Sequence, residues 1–227
     1  MIDQMLKNAF PVEFGLRPDE VVVCKTTYNK PFTLSDKKAC KACKTNPKRI
    51  LQQDCNEEIL KVDNNGLAID VIAFEEYIEQ FVGTAANVTD RCDYILTDNG
   101  PVHNKIVFCD LCCHEEKYVE PNTGNAYPQG KRAKARQQMQ RSVEVLLQES
   151  LTKVNLLTYP EKVFLFAWRE YGVPAIPVVA ERGNAIDNIG AMMMTASHFS
   201  KQTTTHHHKA GHGFTFMQIK HPSVYIW

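Results

Sequence analysis

Two acidic residues stand alone inside apolar, strand-like segments of this chain of 227 residues. Asp93 lies in RCDYILTD (91–98), Asp110 lies in KIVFCDLCC (105–113), and a short Gly-Pro turn separates the two segments. A carboxylate among apolar residues is costly unless it is paired or binds a cation. A short connection also favours hairpin pairing of two strands. The sequence therefore predicts that the two carboxylates converge on adjacent strands and bind a metal ion.

The alternation of side chains along a strand predicts which neighbours share a face with Asp110. Ile106, Phe108 and Cys112 lie two or four residues from Asp110, so they point the same way. The residues that point the other way are Val107, Cys109, Leu111 and Cys113. Cys112 is therefore expected beside Asp110 on the metal-facing side of the strand.

A basic, Gln-containing helical segment (131–150) and a third apolar strand, EKVFLFAW (161–168), follow the acid-bearing strands. This layout resembles the PD-(D/E)XK, or restriction-endonuclease-like, superfamily over residues 69–168. The resemblance implies an α/β fold with a restriction-endonuclease-like mixed central sheet flanked by helices. It also implies that Asp93 and Asp110 hold Mg²⁺ or Mn²⁺, the hard cations used in phosphodiester hydrolysis.

The chain departs from the superfamily at Cys112, which stands where the second motif ends in Lys. In the superfamily that lysine helps to position and activate the attacking water, and a thiol carries no positive charge for this role. One alternative is that Lys131 or Lys134 on the following helix supplies the amine. Gln138, or its neighbour Gln137, would then resemble the glutamine with which the superfamily's helix faces the site.

Two further alternatives explain the missing lysine. The site could be degenerate, with the fold retained for binding. The cysteine could instead belong to a soft-metal cluster, since thiolates favour softer metals than Mg²⁺. That cluster would contain Cys109, Cys112, Cys113 and His114.

The segment before the first acid-bearing strand could supply another metal ligand. Residues 69–82 predict a helix that ends at Gly83, because four apolar residues recur at helical spacing. These residues are Val71, Phe74, Ile78 and Phe81. The superfamily commonly takes one acid from this helix, which here offers Glu75, Glu76 and Glu79. We assign Glu79, the nearest to the strand in sequence, although no spacing argument separates it from Glu76.

Four cysteines predict a structural Zn²⁺ site in a lysine-rich segment. Cys40 and Cys43 form a CxxC pair, and Cys24 upstream with Cys55 downstream would complete a Cys₄ set. Such a site would order a segment that has little to bury and would present its lysines to phosphates. The alternative is that these are reduced cysteines on a surface loop.

The formal net charge of zero hides a strong asymmetry along the chain. Residues 25–49 hold eight Lys/Arg and one acid, and residues 131–141 hold five bases and no acid. Between them, residues 54–98 hold eleven acids and two bases. Two basic blocks around an acidic one are typical of a polyanion-binding surface around a cation site, although each block could also be a solvated face.

Composition and turn signals divide the chain into three ranges. Residues 1–66 form a Cys- and Lys-rich N-terminal segment, 67–180 the restriction-endonuclease-like core, and 181–227 a C-terminal extension with a His-rich loop and a last strand. Within the first range, the residue types predict a strand over 21–28. They predict a loop over 29–49 and a short helix over 50–60.

No apolar run approaches the about 20 residues that cross a bilayer, and the N-terminus lacks the features of a signal peptide. We therefore expect a cytoplasmic protein with no membrane contact, whose cysteines are reduced thiols or metal ligands.

The sequence predicts a metal-dependent protein that hydrolyses phosphodiesters in nucleic acid, with DNA as its partner. Bacterial restriction, repair or anti-phage defence would be its setting, with a protein partner in a multi-subunit assembly. The alternative is a catalytically degenerate nuclease-fold subunit that serves as a scaffold or DNA-binding component. A third reading, a small zinc-clipped binding module, would be favoured if Asp93 and Asp110 lay far apart.

Overall fold

The fold is described from a computed structural model of the chain. The described residues are 2–36, 58–100, 104–124, 128–170 and 208–227.

Seven strands of the described ranges form one mixed sheet. Across the sheet the strands are β1 (Lys25–Tyr28), β4 (Ile69–Ala73), β5 (Tyr94–Asp98), β6 (Lys105–Cys113), β7 (Glu161–Arg169), β9 (Thr215–Lys220) and β8 (His208–Lys209). The neighbours from β1 to β6 are antiparallel, β6, β7 and β9 are parallel, and β8 is antiparallel to β9. The parallel step from β6 to β7 contains a helical crossover, as such a connection requires.

The helices cover one face of this sheet. They are α1 (Ile2–Lys7), α2 (Ala9–Glu13), α3 (Phe74–Ile78), α4 (Gly130–Leu146) and α5 (Ser150–Thr158). Single 3₁₀ turns lie at Glu116–Tyr118, before α4, and at Gly211–Gly213, before β9. Their apolar side chains form one buried cluster with the sheet residues that point toward them. The predicted α/β class, a mixed central sheet flanked by helices, is confirmed.

A second, three-stranded sheet packs on the opposite face. Its order is β10 (Val224–Ile226), β3 (Glu58–Asp63) and β2 (Phe32–Ser35), with β3 parallel to β10 and antiparallel to β2. The inward side chains of both sheets form the second buried cluster of the protein. The central strands are therefore buried on both faces, which explains why they read as continuous apolar runs.

The strand predicted over 105–113 is confirmed, together with its alternation. Phe108 and Cys112 belong to the helix-side cluster, whereas Val107 and Leu111 belong to the cluster between the sheets. Asp110 shares the parity of Phe108 and Cys112, so it projects to the helix side of the sheet.

The basic helix begins one residue before its predicted start and ends at Leu146. Its apolar stripe packs against the sheet, since Met139, Val143 and Leu146 are fully buried there. Gly130 opens the helix with a φ of +77°, and a Cβ there would lie 2.6 Å from the Val119 carbonyl oxygen. Only glycine fits this close approach without displacing the backbone.

The helix predicted over 69–82 is wrong in its first half. Residues Ile69–Ala73 form strand β4, and a short helix, α3, follows and ends at Ile78. All five residues of β4 are buried, because β4 is covered on both faces. Its one polar residue, Asp70, is itself buried, so no alternation of polar and apolar residues marks the period of two and the apolar spacing mimicked a helix.

Three other local predictions need correction. The strand predicted over 21–28 is limited to Lys25–Tyr28, and the predicted loop 29–49 contains β2. The helix predicted over 50–60 overlaps strand β3, while 50–57 lie outside the described residues. Pairing with distant strands stabilises β2 and β3, and local sequence does not encode such partners.

The division into three ranges stays a prediction, although strands from the outer ranges pair across the fold. β1 pairs with β4, and β9 near the C-terminus pairs with β7. No helix of the described ranges is long and apolar enough to span a membrane.

We expect the second sheet to be required for stability. Leu34 of β2 is fully buried between the sheets, so Leu34→Ala should lower the free energy of unfolding by about 2–5 kcal/mol. Leu67→Ala is the matched control, because Leu67 is 51% exposed. Its effect should stay within about 0.5 kcal/mol. Denaturant unfolding measures both, and equal small effects would contradict the packing of the two sheets.

Candidate functional site

The two predicted metal ligands, Asp93 and Asp110, stand opposite one another in the sheet. Tyr94 pairs with Cys109 in the antiparallel ladder of β5 and β6, which places the preceding Asp93 across from Asp110. Asp93 itself lies directly before β5, which begins at Tyr94. The structure therefore brings both acids together at the end of the sheet where β6, β7 and β9 end, with Asp110 on the helix-facing side.

Backbone and side-chain hydrogen bonds hold Asp93 in this position. Its amide donates to the Cys109 carbonyl oxygen (3.1 Å), and its carbonyl oxygen accepts from the amides of Phe74 (2.9 Å) and Glu75 (3.3 Å) at the start of α3. Its carboxylate accepts from the Leu111 amide at 2.7 Å. The carboxylate thus binds the backbone of the strand that carries Asp110.

Two side chains of α4 anchor the residues just before Asp93. Gln138 donates from Nε2 to the Arg91 carbonyl oxygen (3.0 Å), and the Cys92 amide donates to Ser142 Oγ (2.9 Å). Gln138 was predicted to face the metal site. The structure places it beside the site, where it fixes the approach of the chain to Asp93.

The electrostatics of the pair disfavour two negative charges. Burial and the neighbouring Asp110 carboxylate raise the pKa of Asp93 well above its usual value, and Glu75 and Asp36 add to this rise. The hydrogen bond from the Leu111 amide acts in the opposite direction. Since Asp110 is itself only 7% exposed, a bound cation would relieve an unfavourable concentration of negative charge.

Arg91 determines which acids of the preceding helix can reach the pair. Its Nη2 lies 2.9 Å from Glu79 Oε1 and 3.8 Å from Glu75 Oε1. Glu79, the acid that we assigned to the metal, therefore forms an ion pair with Arg91 in this structure. Glu75 is the acid of this segment whose charge acts on Asp93.

Lys131 is the lysine of α4 that bears on the site. Burial raises the pKa of the Cys112 thiol to about 12, and the positive charge of Lys131 opposes this rise. Burial and the same charge lower the pKa of His114. The positive charge of Lys131 therefore acts on Cys112, the residue that stands in place of the expected motif lysine. Lys134, the other candidate, is not among the charges that shift the pKa values of Asp93, Cys112 and His114.

The predicted zinc ligands are only partly covered by the structure. Cys24 is half-buried against the cluster between the two sheets, whereas Cys40, Cys43 and Cys55 lie outside the described residues. The zinc site therefore stays a prediction. His206 and His207 of the His-rich loop also lie outside the described ranges.

The soft-metal cluster is disfavoured by the geometry of β6. Cys112 lies on the helix side, whereas Cys109 and Cys113 pack on the side of the second sheet. Burial raises the pKa of the Cys109 thiol as well, which disfavours the thiolate that a metal would need.

Sequence reasoning did not assign two acids whose charges act on Asp93. Asp36 follows β2, in a range predicted to be a loop, and its charge acts on Asp93 because β2 belongs to the second sheet. Glu75 was considered but not assigned. Its place directly after a buried strand, at the start of α3, is the signal that could have identified it.

Comparison of the chain with known protein families, with characterised proteins and with solved structures finds no match.

The raised pKa of Asp93 predicts how stability depends on pH. A carboxyl group whose pKa is higher in the folded state binds more protons there, so stability falls as pH rises from about 3.8 through the raised value. Asp93→Asn keeps an oxygen that can accept from the Leu111 amide but removes the charge. We expect this variant, without metal, to have a higher free energy of unfolding than the wild type at neutral pH. The gain should vanish near pH 4.

Asp98→Asn is the control for this prediction, measured by denaturant unfolding across the same pH series. Asp98 is also buried in β5, but it accepts hydrogen bonds from the Asn104 and Lys105 amides. The control should show no gain in stability at neutral pH. A gain of equal size in both variants, or none in Asp93→Asn, would contradict the electrostatic account.

Proposed function

We propose that this protein is a metal-dependent phosphodiester hydrolase that acts on nucleic acid. The observation that best supports this function is the position of Asp93 opposite Asp110, at the end of the sheet. Two neighbouring carboxylates, one of which raises the proton affinity of the other, are suited to a divalent cation.

The donor set suits a hard cation that keeps open positions. Mg²⁺ is commonly bound by one or two carboxylates, while waters and substrate phosphates fill its other positions. No group of three or more His, Cys, Asp or Glu residues within the described ranges is arranged to hold a metal. Asp93 and Asp110 would therefore hold Mg²⁺ or Mn²⁺ as a pair. The cation would polarise the phosphate and acidify a bound water.

Lys131 would take the role of the lysine that is absent from position 112. Its ammonium already acts on Cys112, the residue that follows Asp110 on the same face of β6. A positive charge there would offset the charge that develops on the phosphate during hydrolysis. The chain would thus carry the amine on α4 and the acids on the sheet.

The substrate and setting follow from charge and from the resemblance to PD-(D/E)XK nucleases. The basic blocks at 25–49 and 131–141 suit a polyanion, and we propose DNA as the substrate. A cytoplasmic role in bacterial restriction, repair or anti-phage defence, as part of a multi-subunit assembly, completes the proposal.

A second candidate function is a degenerate nuclease fold that binds DNA without cutting it. The observation in its favour is Cys112, a buried neutral thiol in place of the motif lysine. The zinc-clipped module gains no support from the pair, since it would have been favoured only if Asp93 and Asp110 lay far apart.

The test is cleavage of plasmid, single-stranded DNA and RNA with Mg²⁺ or Mn²⁺. Asp110→Asn should abolish cleavage, because it removes one charge of the metal-binding pair. Lys131→Ala should slow cleavage by about 10²–10³-fold, the usual cost of losing one electrostatic contributor. DNA binding should mostly persist in both variants.

Lys134→Ala is the matched control, as it removes the same charge one turn along the same helix and should stay within a few-fold of the wild type. Equal rates for Lys131→Ala, Lys134→Ala and the double variant would refute the role of Lys131. A wild type that cuts none of the substrates with either metal, alone or with its natural partner, would leave the binding function as the answer.

A further inference from the structure

A lysine on β9 lies in the same row of the sheet as Cys112. In the parallel ladders Cys112 is opposite Trp168, and Trp168 is opposite Lys220. Trp168 belongs to the helix-side cluster, so this row is on the face that carries Asp110. Two strand spacings separate Lys220 from Cys112, which is about 10 Å between their backbones. Lys220 therefore lies at the same end of the sheet as the acid pair, two strands away from it.

The surroundings of Lys220 hold its ammonium in a defined place. Its Nζ is 4.5 Å from the centre of the Trp168 ring, a cation–π geometry. The same Nζ lies 3.3 Å from a Glu116 carboxylate oxygen and 3.8 Å from one of Glu170. Both acids are exposed and follow the ends of β6 and β7. The buried Trp168 ring thus fixes the lysine, and another anion could replace the carboxylates of Glu116 and Glu170.

Two polar atoms beneath this lysine lack hydrogen-bond partners among the described residues. One is Nε1 of Trp168, whose side chain is 3% exposed, and the other is Oε1 of Gln218 on β9. Gln218 is in the row of Asp110, with Phe166 between them. Buried polar atoms without partners are uncommon in folded proteins, and each needs an explanation. Phe166 and Trp168, which lie between the acid pair and Lys220, are buried, so a strand that contacts both sites would pass along the ends of β6, β7 and β9.

We propose that Lys220 forms a second phosphate subsite, which holds the nucleic-acid strand beside the phosphodiester bound at Asp93 and Asp110. This inference rests on the proposed function. A strand that rises about 3.4 Å per nucleotide covers the about 10 Å from Cys112 in three nucleotides. The bound phosphate replaces Glu116 and Glu170 as the anion on the ammonium, while Trp168 keeps the lysine in place.

The experiment measures binding of a short fluorescent single-stranded DNA in Ca²⁺ across a series of salt concentrations. Lys220→Met keeps the aliphatic stem over Trp168 but removes the charge. It should weaken binding about fivefold to tenfold and lower the slope of log K against log salt by about 0.7. Lys220→Arg should retain affinity and slope. The double variant Glu116→Gln/Glu170→Gln should bind more tightly than the wild type, since it removes the competing anions.

Lys61→Met is the matched control, because Lys61 is exposed on β3 in the other sheet and should leave binding unchanged. Thermal unfolding of every variant confirms that it is folded. Wild-type affinity and slope in Lys220→Met, or a loss in Lys220→Arg as large as in Lys220→Met, would overturn the subsite. Binding that depends on Lys220 without any cleavage would refute the hydrolase and keep the subsite. If Lys220→Met and Lys61→Met cleave the substrate at equal rates, the hydrolase is kept and the subsite is refuted.

Discussion

The register between β5 and β6 is the constraint on which the rest of the site depends. Tyr94 pairs with Cys109, so a slip of one residue between the two strands would no longer place Asp93 opposite Asp110. The hydrogen bond from the Leu111 amide to the Asp93 carboxylate stabilises this register at the end of the sheet. Burial beside a second acid raises the pKa of Asp93, whereas this hydrogen bond lowers it. One pairing thus determines both the geometry and the electrostatics of the pair.

The two buried layers explain how the sheet can tolerate this concentration of charge. Apolar side chains of the helices cover one face, and the second sheet covers the other. The acids lie where these layers end, at the end of the sheet formed by the last residues of β6, β7 and β9. Burial in such a place raises proton affinity, so the stability of the fold disfavours two negative charges at these residues.

The charged residues near Asp93 and Asp110 differ in the partners on which they act. Arg91 binds Glu79 closely and Glu75 at longer range, so the acids of this segment differ in their effect on Asp93. Lys131 on α4 carries a positive charge that acts on Cys112. Acids at the end of the sheet and an amine on the covering helix thus concentrate opposite charges in one place.

Strong local patterns in the amino-acid sequence determined the acid-bearing strand β6, the apolar strand β7 and the basic helix α4. Alternation also determined that Asp110 and Cys112 share a face, because the period of a strand is a local property. Strand β4 was mistaken for a helix, since it is buried on both faces and its single polar residue, Asp70, does not reveal the period of two. The second sheet was missed because its strands pair with partners that are far away in sequence.

Tertiary structure alone decided which charges surround the pair. Glu75 and Asp36 act on Asp93 because α3 begins beside it and because β2 packs in the second sheet. The choice of Lys131 over Lys134 depends on how the basic helix lies across the sheet. Sequence spacing places two residues on a helix face but does not say what that face contacts. Candidate residues could therefore be proposed from the sequence, whereas their assembly into a site required the packing of distant elements.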